Sequence, residues 1–191
     1  MRKTRAKTIL SRVKQPDTWF GLTYSMNLYR GCTHGCIYCD SRSLCYGIED
    51  LSDVNVKENA IEVLRGELSG RRRKGTVGTG SMNDPYQPLE AELCMTRGAL
   101  EELDRFGFPV HVMTKSDLVA RDSALLQSIG RRNYAAVSVT ITTADDDLAA
   151  KLEPGAPLPS QRLQTVKMLA SKGIYVGITM MPLLPYICDS D

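Results

Sequence analysis

No stretch of this sequence is apolar and long enough to span a bilayer. Its basic first residues lack the apolar core of a secretory signal. A cytoplasmic protein is therefore the expectation. Net charge is small, +2 over 191 residues, so the chain as a whole is not built to attract polyanions. No Walker or dinucleotide-binding fingerprint occurs. No carboxylate pair or Ser/His/Asp set points to hydrolysis. There is no internal repeat and no low-complexity block, which leaves one domain behind a short lead-in.

The charge is unevenly spread. Arg2, Lys3, Arg5, Lys7, Arg12 and Lys14 precede the first acid, Asp17, and a second basic run is Arg71-Arg72-Arg73-Lys74. Each run fits a solvated segment, and each fits contact with phosphates.

Six cysteines are present. A disulfide framework suits a short secreted chain, which this is not. Cys45, Cys94 and Cys188 are scattered. Cys32, Cys36 and Cys39 are spaced Cys-x3-Cys-x2-Cys, with Tyr38 just before the third thiol. Three thiolates on one short loop can hold three corners of a cubane iron–sulfur cluster, whose complete protein ligation takes four. One iron is then open to another ligand. The same residues admit a zinc site, with Cys45 or His34 as fourth donor. Zinc ribbons, however, usually pair two separate short-spaced couples.

Residues 1–20 read as a basic lead-in without periodicity, and 21–191 as the core domain. Strands are expected over Leu22 to Leu28, Gly75 to Thr79, Val110 to Thr114, Ala135 to Thr140 and Ile174 to Met180. Helices are expected over Val54 to Leu68, Thr96 to Phe106, Asp122 to Ile129, and from a Ser160 cap through Lys172. This alternation predicts an α/β fold with a parallel sheet. Polar residues gather at the carboxyl ends of the strands: the cysteine loop, Gly78-Thr79-Gly80-Ser81, Lys115, and Ser138 with Thr140. That is where β/α barrels build their sites, and an eightfold barrel takes about 250 residues. A partial parallel (β/α) barrel is expected, a truncated chain ending in a loop over 182–191, with an exposed edge on its fifth strand. Asp84 reads as a turn cap, His111 as a packed histidine and Met180-Met181 as core.

The cysteine motif resembles the signature of the radical S-adenosylmethionine (SAM) superfamily. NLYRGCTHGCIYCDSRS, GTGSMNDPYQPLE, TKSDLVARD and EPGAPLPSQR are similar to its spore photoproduct lyase-like branch, also called DNA repair photolyase-like, from about Trp19 to Asp191. The resemblance implies a partial TIM barrel in which Cys32, Cys36 and Cys39 ligate a 4Fe–4S cluster and SAM chelates the open iron. An electron donor such as flavodoxin or ferredoxin reduces the cluster. SAM is then cleaved to a 5′-deoxyadenosyl radical that takes a hydrogen atom from substrate. On that reading Tyr38 lies beside the adenine. Gly78, Thr79, Gly80 and Ser81 meet the methionyl end, Lys115 pairs with the SAM carboxylate, and Ser138 and Thr140 share the inward face of their strand. Two departures separate this chain from thymine-dimer repair. Asp40 stands where the lyase has tyrosine, and the loop from Gly78 to Tyr86 has no cysteine to act as hydrogen donor. A different class of function, a non-catalytic zinc- or cluster-binding module touching nucleic acid, is the alternative.

Overall fold

The structure is a computed structural model describing residues 1–15 and 17–189. Strands β1 (Arg2–Thr4), β2 (Leu10–Arg12), β3 (Leu22–Met26) and β4 (Tyr29–Arg30) precede the cysteines. After them come β5 (Asn55–Lys57), α1 (Ala60–Ser69), β6 (Thr76–Thr79), α2 (Glu90–Leu93) and α3 (Met95–Phe106). The rest is β7 (Val110–Thr114), α4 (Ser123–Arg132), β8 (Ala135–Thr140), α5 (Asp146–Leu152), α6 (Pro159–Ser171) and β9 (Tyr175–Thr179).

One sheet has six strands in the order β2-β3-β6-β7-β8-β9. Its last five are parallel, and β2 runs antiparallel along β3. Each parallel crossover carries at least one helix, so this is the α/β class expected from the alternation. Val110, Val112, Val137 and Val139 are buried in neighbouring strands, as in parallel strands covered on both faces. Leu64 and Leu68 of α1 and Leu100 and Leu103 of α3 are buried beside them. Each such side chain stabilises the fold by about 2 kcal/mol. Among the described residues, no helix is long and apolar enough to cross a membrane.

Several expected boundaries are corrected. The helix expected from Val54 begins only at Ala60, because Asn55–Lys57 is a strand. It pairs with β1 on one side and β4 on the other in a small second sheet. The stretch expected to lack periodicity contributes β1 and β2, and Arg2 is ion-paired to Asp53 at 2.6 Å. Helix α5 was not anticipated; Asp145 caps it by accepting from the amides of Asp147 and Leu148. Helix α6 starts at Pro159, a residue pre-set for a first helical position. Ser160 is not its cap, since its hydroxyl donates to Asp146 at 2.6 Å. Met180 and Met181 are about half exposed rather than core. Pro16 of the lead-in and Ser190 and Asp191 of the C-terminal loop lie outside the described residues.

Candidate functional site

The cysteine loop and the carboxyl ends of β6, β7, β8 and β9 surround one cavity of about 580 Å³. Cys32, Cys36 and Cys39 line it together with Tyr38 and Asp40. Gly80, Ser81, Asn83 and Asp84 come from the loop after β6, and Lys115 follows β7. Thr140 and Thr179 close the strand side. Phe20, Met82, Met113, Met181 and Pro182 supply an apolar wall.

The cysteine loop is held by distant parts of the chain. The Cys32 amide donates to the Leu51 carbonyl (2.7 Å), the Thr33 amide to the Gln87 side chain (3.2 Å), and the Ile37 amide to the Leu152 carbonyl (2.9 Å). Buried His34 sits between the first two cysteines. Its Nδ1 donates to the Gly155 carbonyl at 2.9 Å, and its Nε2 lies 3.2 Å from Asp84 Oδ2 as an ion-pair contact. The Gly155 amide answers by donating to the His34 carbonyl (2.8 Å). A side chain at 155 would overlap the Thr33 carbonyl oxygen and crowd His34 Cα at 3.0 Å, so only glycine fits there.

Asp84 is more than a turn cap. It accepts from the Tyr86 amide (2.8 Å), the Thr114 hydroxyl (2.6 Å) and the Lys115 amide (2.7 Å). Burial alone would raise its pKa, but the His34 charge and these hydrogen bonds prevail and hold it at about 2. For His34, burial disfavours the charged ring, yet Asp84 outweighs it and the pKa is raised. Burial, reinforced by Asp84, pushes the Cys32 thiol up to about 12, and burial raises Cys36 as well. A metal that displaces these protons brings positive charge directly onto the sulfurs, offsetting the cost of burying thiolates.

Neither fourth donor weighed for zinc is available at the thiols. His34 Nδ1 is bonded to the Gly155 carbonyl, and Nε2 faces Asp84 rather than the thiols as its charge partner. Cys45 is exposed and points its thiol at Ser43, away from the cavity lining. Among the described residues, no three His, Cys, Asp or Glu side chains are set around a single metal ion. Three free, partly buried thiols share a cavity wall. Three thiols on one loop are a donor set that can hold three corners of a cubane iron–sulfur cluster.

Among the other residues singled out, Tyr38 lines the cavity and donates its hydroxyl to Glu153. Burial first, and then that hydrogen bond, raises its pKa. Lys115 Nζ lies 5.7 Å from the Tyr38 ring centroid and 4.0 Å from Glu153 Oε1. Gly80 and Ser81 line the cavity, whereas Gly78 and Thr79 lie within β6 and do not. Gly80 has φ +100°, and a side chain there would overlap the Met113 carbonyl oxygen. Thr140 lines the cavity, but Ser138 does not: its hydroxyl lies 2.8 Å from Nε2 of packed His111, deeper in the sheet. Residues not anticipated are His34 as an anchor, Thr142, and the buried pair Glu153–Arg162. The last two stand in EPGAPLPSQR, whose prolines and glycine were the only visible sign of a close-packed loop.

The family model described as the radical SAM superfamily matches residues 26–191. An uncharacterized protein of Mycobacterium tuberculosis is 33% identical over 176 residues, covering 87% of this chain and 51% of that protein. An uncharacterized protein of Methanocaldococcus jannaschii is 31% identical over 191 residues, covering 98% of this chain and 69% of that protein. The chain spans about half the length of the mycobacterial relatives. Among solved structures, spore photoproduct lyase complexed with dinucleoside spore photoproduct superposes with a TM-score of 0.67 at 14% identity. The match covers 96% of this chain and 52% of the lyase. At that identity the likeness is one of fold, and it extends to a lyase mutant with bound AdoMet.

Proposed function

Since the chain belongs to the radical SAM superfamily, we propose that it is an enzyme using a 4Fe–4S cluster on Cys32, Cys36 and Cys39 to cleave SAM reductively. The observation that carries this reading is the shared cavity, where three free thiols of one loop face Lys115, Gly80, Ser81 and Tyr38. When bound, the cluster supplies the single electron that breaks a carbon–sulfur bond of SAM and yields a 5′-deoxyadenosyl radical.

The chain's own residues do the positioning. Lys115 offers a cation to the methionyl carboxylate. Ser81 and the half-buried backbone at Gly80 take the polar end of SAM, and the Tyr38 ring borders its adenosyl part. The apolar wall of Phe20, Met113, Met181 and Pro182 keeps water from the radical and gives the substrate a surface to pack on. A small one-electron donor of the flavodoxin or ferredoxin kind completes the cycle. Lyase repair chemistry is not part of the proposal. Asp40 lies on the wall held by the Tyr46 hydroxyl (2.7 Å), and the described lining contains no cysteine beyond the three of the loop.

Anaerobic reconstitution with iron and sulfide, followed by SAM and a chemical reductant, tests the reading. The expected result is release of 5′-deoxyadenosine, abolished with the cluster in Cys36→Ala. Folded, cluster-loaded protein that releases none overturns it.

A further inference from the structure

Glu153 is a carboxylate with a wholly buried side chain just behind the cavity wall. Its Oε1 accepts from the Tyr38 and Thr142 hydroxyls and lies 4.0 Å from Lys115 Nζ. Its Oε2 lies 2.5 Å from Arg162 Nη2. Arg162 is itself 1% exposed and does not line the cavity. It is pinned on two further sides, donating from Nε to the Pro157 carbonyl (2.7 Å) and from Nη1 to the Thr140 carbonyl (3.0 Å).

A buried carboxylate requires a counter-ion. Two cations are within reach, and their distances differ. Arg162 is in contact, whereas Lys115 stands off, third in line at an oxygen that already takes two hydroxyls. Attraction falls with separation, so the carboxylate's charge is spent on Arg162. Two cations against one anion leave this wall with a surplus positive charge, carried by Lys115 on the cavity side. Its side chain is 17% exposed and steadied by the Tyr38 ring.

We propose that Arg162 is a positioning residue: by neutralising Glu153 it keeps the Lys115 ammonium free to receive the carboxylate of SAM. The inference rests on the reading that SAM occupies this cavity with its carboxylate at Lys115. Without the guanidinium, Lys115 closes onto Glu153 and the cavity loses its receptor for an anion.

The experiment measures equilibrium binding of SAM and of decarboxylated SAM to cluster-loaded protein under anaerobic conditions. Lys115→Ala should weaken SAM and spare the decarboxylated compound. Arg162→Gln should do the same, weakening SAM about tenfold, the scale of one charged hydrogen bond. The double variant Glu153→Gln/Arg162→Gln should recover SAM affinity, because no unpaired carboxylate remains to capture the lysine. Glu153→Gln alone should bind SAM at least as well as wild type, and it serves as the test should Arg162→Gln fail to fold. An unchanged SAM affinity in Lys115→Ala removes the underlying reading and the inference with it. Lys115→Ala weak and Arg162→Gln normal overturns the inference alone. Equal weakening of both ligands in Arg162→Gln, or a loss in Glu153→Gln matching that of Lys115→Ala, also overturns it.

Discussion

His34 Nε2 and Asp84 Oδ2 meet at 3.2 Å, joining the cysteine loop to the loop that follows β6. Both groups are buried, and both have their pKa moved toward the charged form. The contact therefore ties stability to pH at both ends.

Asp84 is lowered from 3.8 to about 2, so its contribution is present above the unfolded value and lost as pH falls through the folded one. That contribution is about 2 kcal/mol. His34 is raised above 6.5, so its contribution is full below that value and lost as pH rises through the folded one. Denaturant unfolding of the cluster-free protein should give greatest stability between about pH 4 and 6.5, with a decline on each side. In His34→Asn the decline that begins above about pH 6.5 should vanish, leaving only the thiols' decline at higher pH, and the maximum should be lower. A wild-type curve flat from pH 6 to about 9 removes this account.

Gly155→Ala should damage the cysteine loop while leaving the sheet intact. The added methyl overlaps the Thr33 carbonyl oxygen, so the loop must move. The expected outcome is poor iron and sulfide retention with a near-native circular dichroism spectrum, at a cost of about 1–3 kcal/mol. Full cluster occupancy in this variant would show that the close approach is dispensable.

Gly80→Ala addresses the opposite wall. Its φ of +100° and the overlap with the Met113 carbonyl oxygen both oppose a side chain. Cluster loading should persist, because Gly80 holds none of the thiols, while SAM binding falls by about tenfold or more. Calorimetric titration of loaded protein with SAM reads the difference.

Cys45→Ser separates cage from ion. Cys45 is exposed and directed at Ser43, so iron content and SAM cleavage should match wild type. A variant that loses its metal would return Cys45 to the ligand set and favour zinc-type coordination.

Glu90→Ala tests a polar network away from the cavity. The buried carboxylate accepts from the Tyr29 hydroxyl, the Thr96 amide (3.0 Å) and Arg121 Nη2 (2.8 Å). Removing it leaves buried donors unpaired and should destabilise by about 3–5 kcal/mol, measured as a shift in the denaturant midpoint.

The parallel strands were readable because Val110–Thr114 and Ala135–Thr140 are short apolar runs flanked by Gly or polar turns. The cysteine loop was readable because three thiols at that spacing have few other uses. The strand Asn55–Lys57 was not, since what makes it a strand is pairing with residues 2–4 and 29–30. Period-two alternation put Ser138 and Thr140 on one face correctly, but alternation carries no depth. Thr140 reaches the rim while Ser138 stays below, against His111. Glu153 and Arg162 were invisible for another reason. Charged residues are rarely buried unless paired, and the groups that make burial tolerable come from positions 38, 142 and 162.

The cysteine loop leans on Gln87, Leu152 and Gly155, all of which leave the ribosome long after Cys39. During synthesis the three thiols therefore emerge on a segment with only its Leu51 support in place and wait for more than a hundred further residues before the rest arrives. Loading of inorganic iron and sulfide should be a late event in biogenesis, and chains interrupted before position 155 should emerge vulnerable to oxidation rather than partly matured.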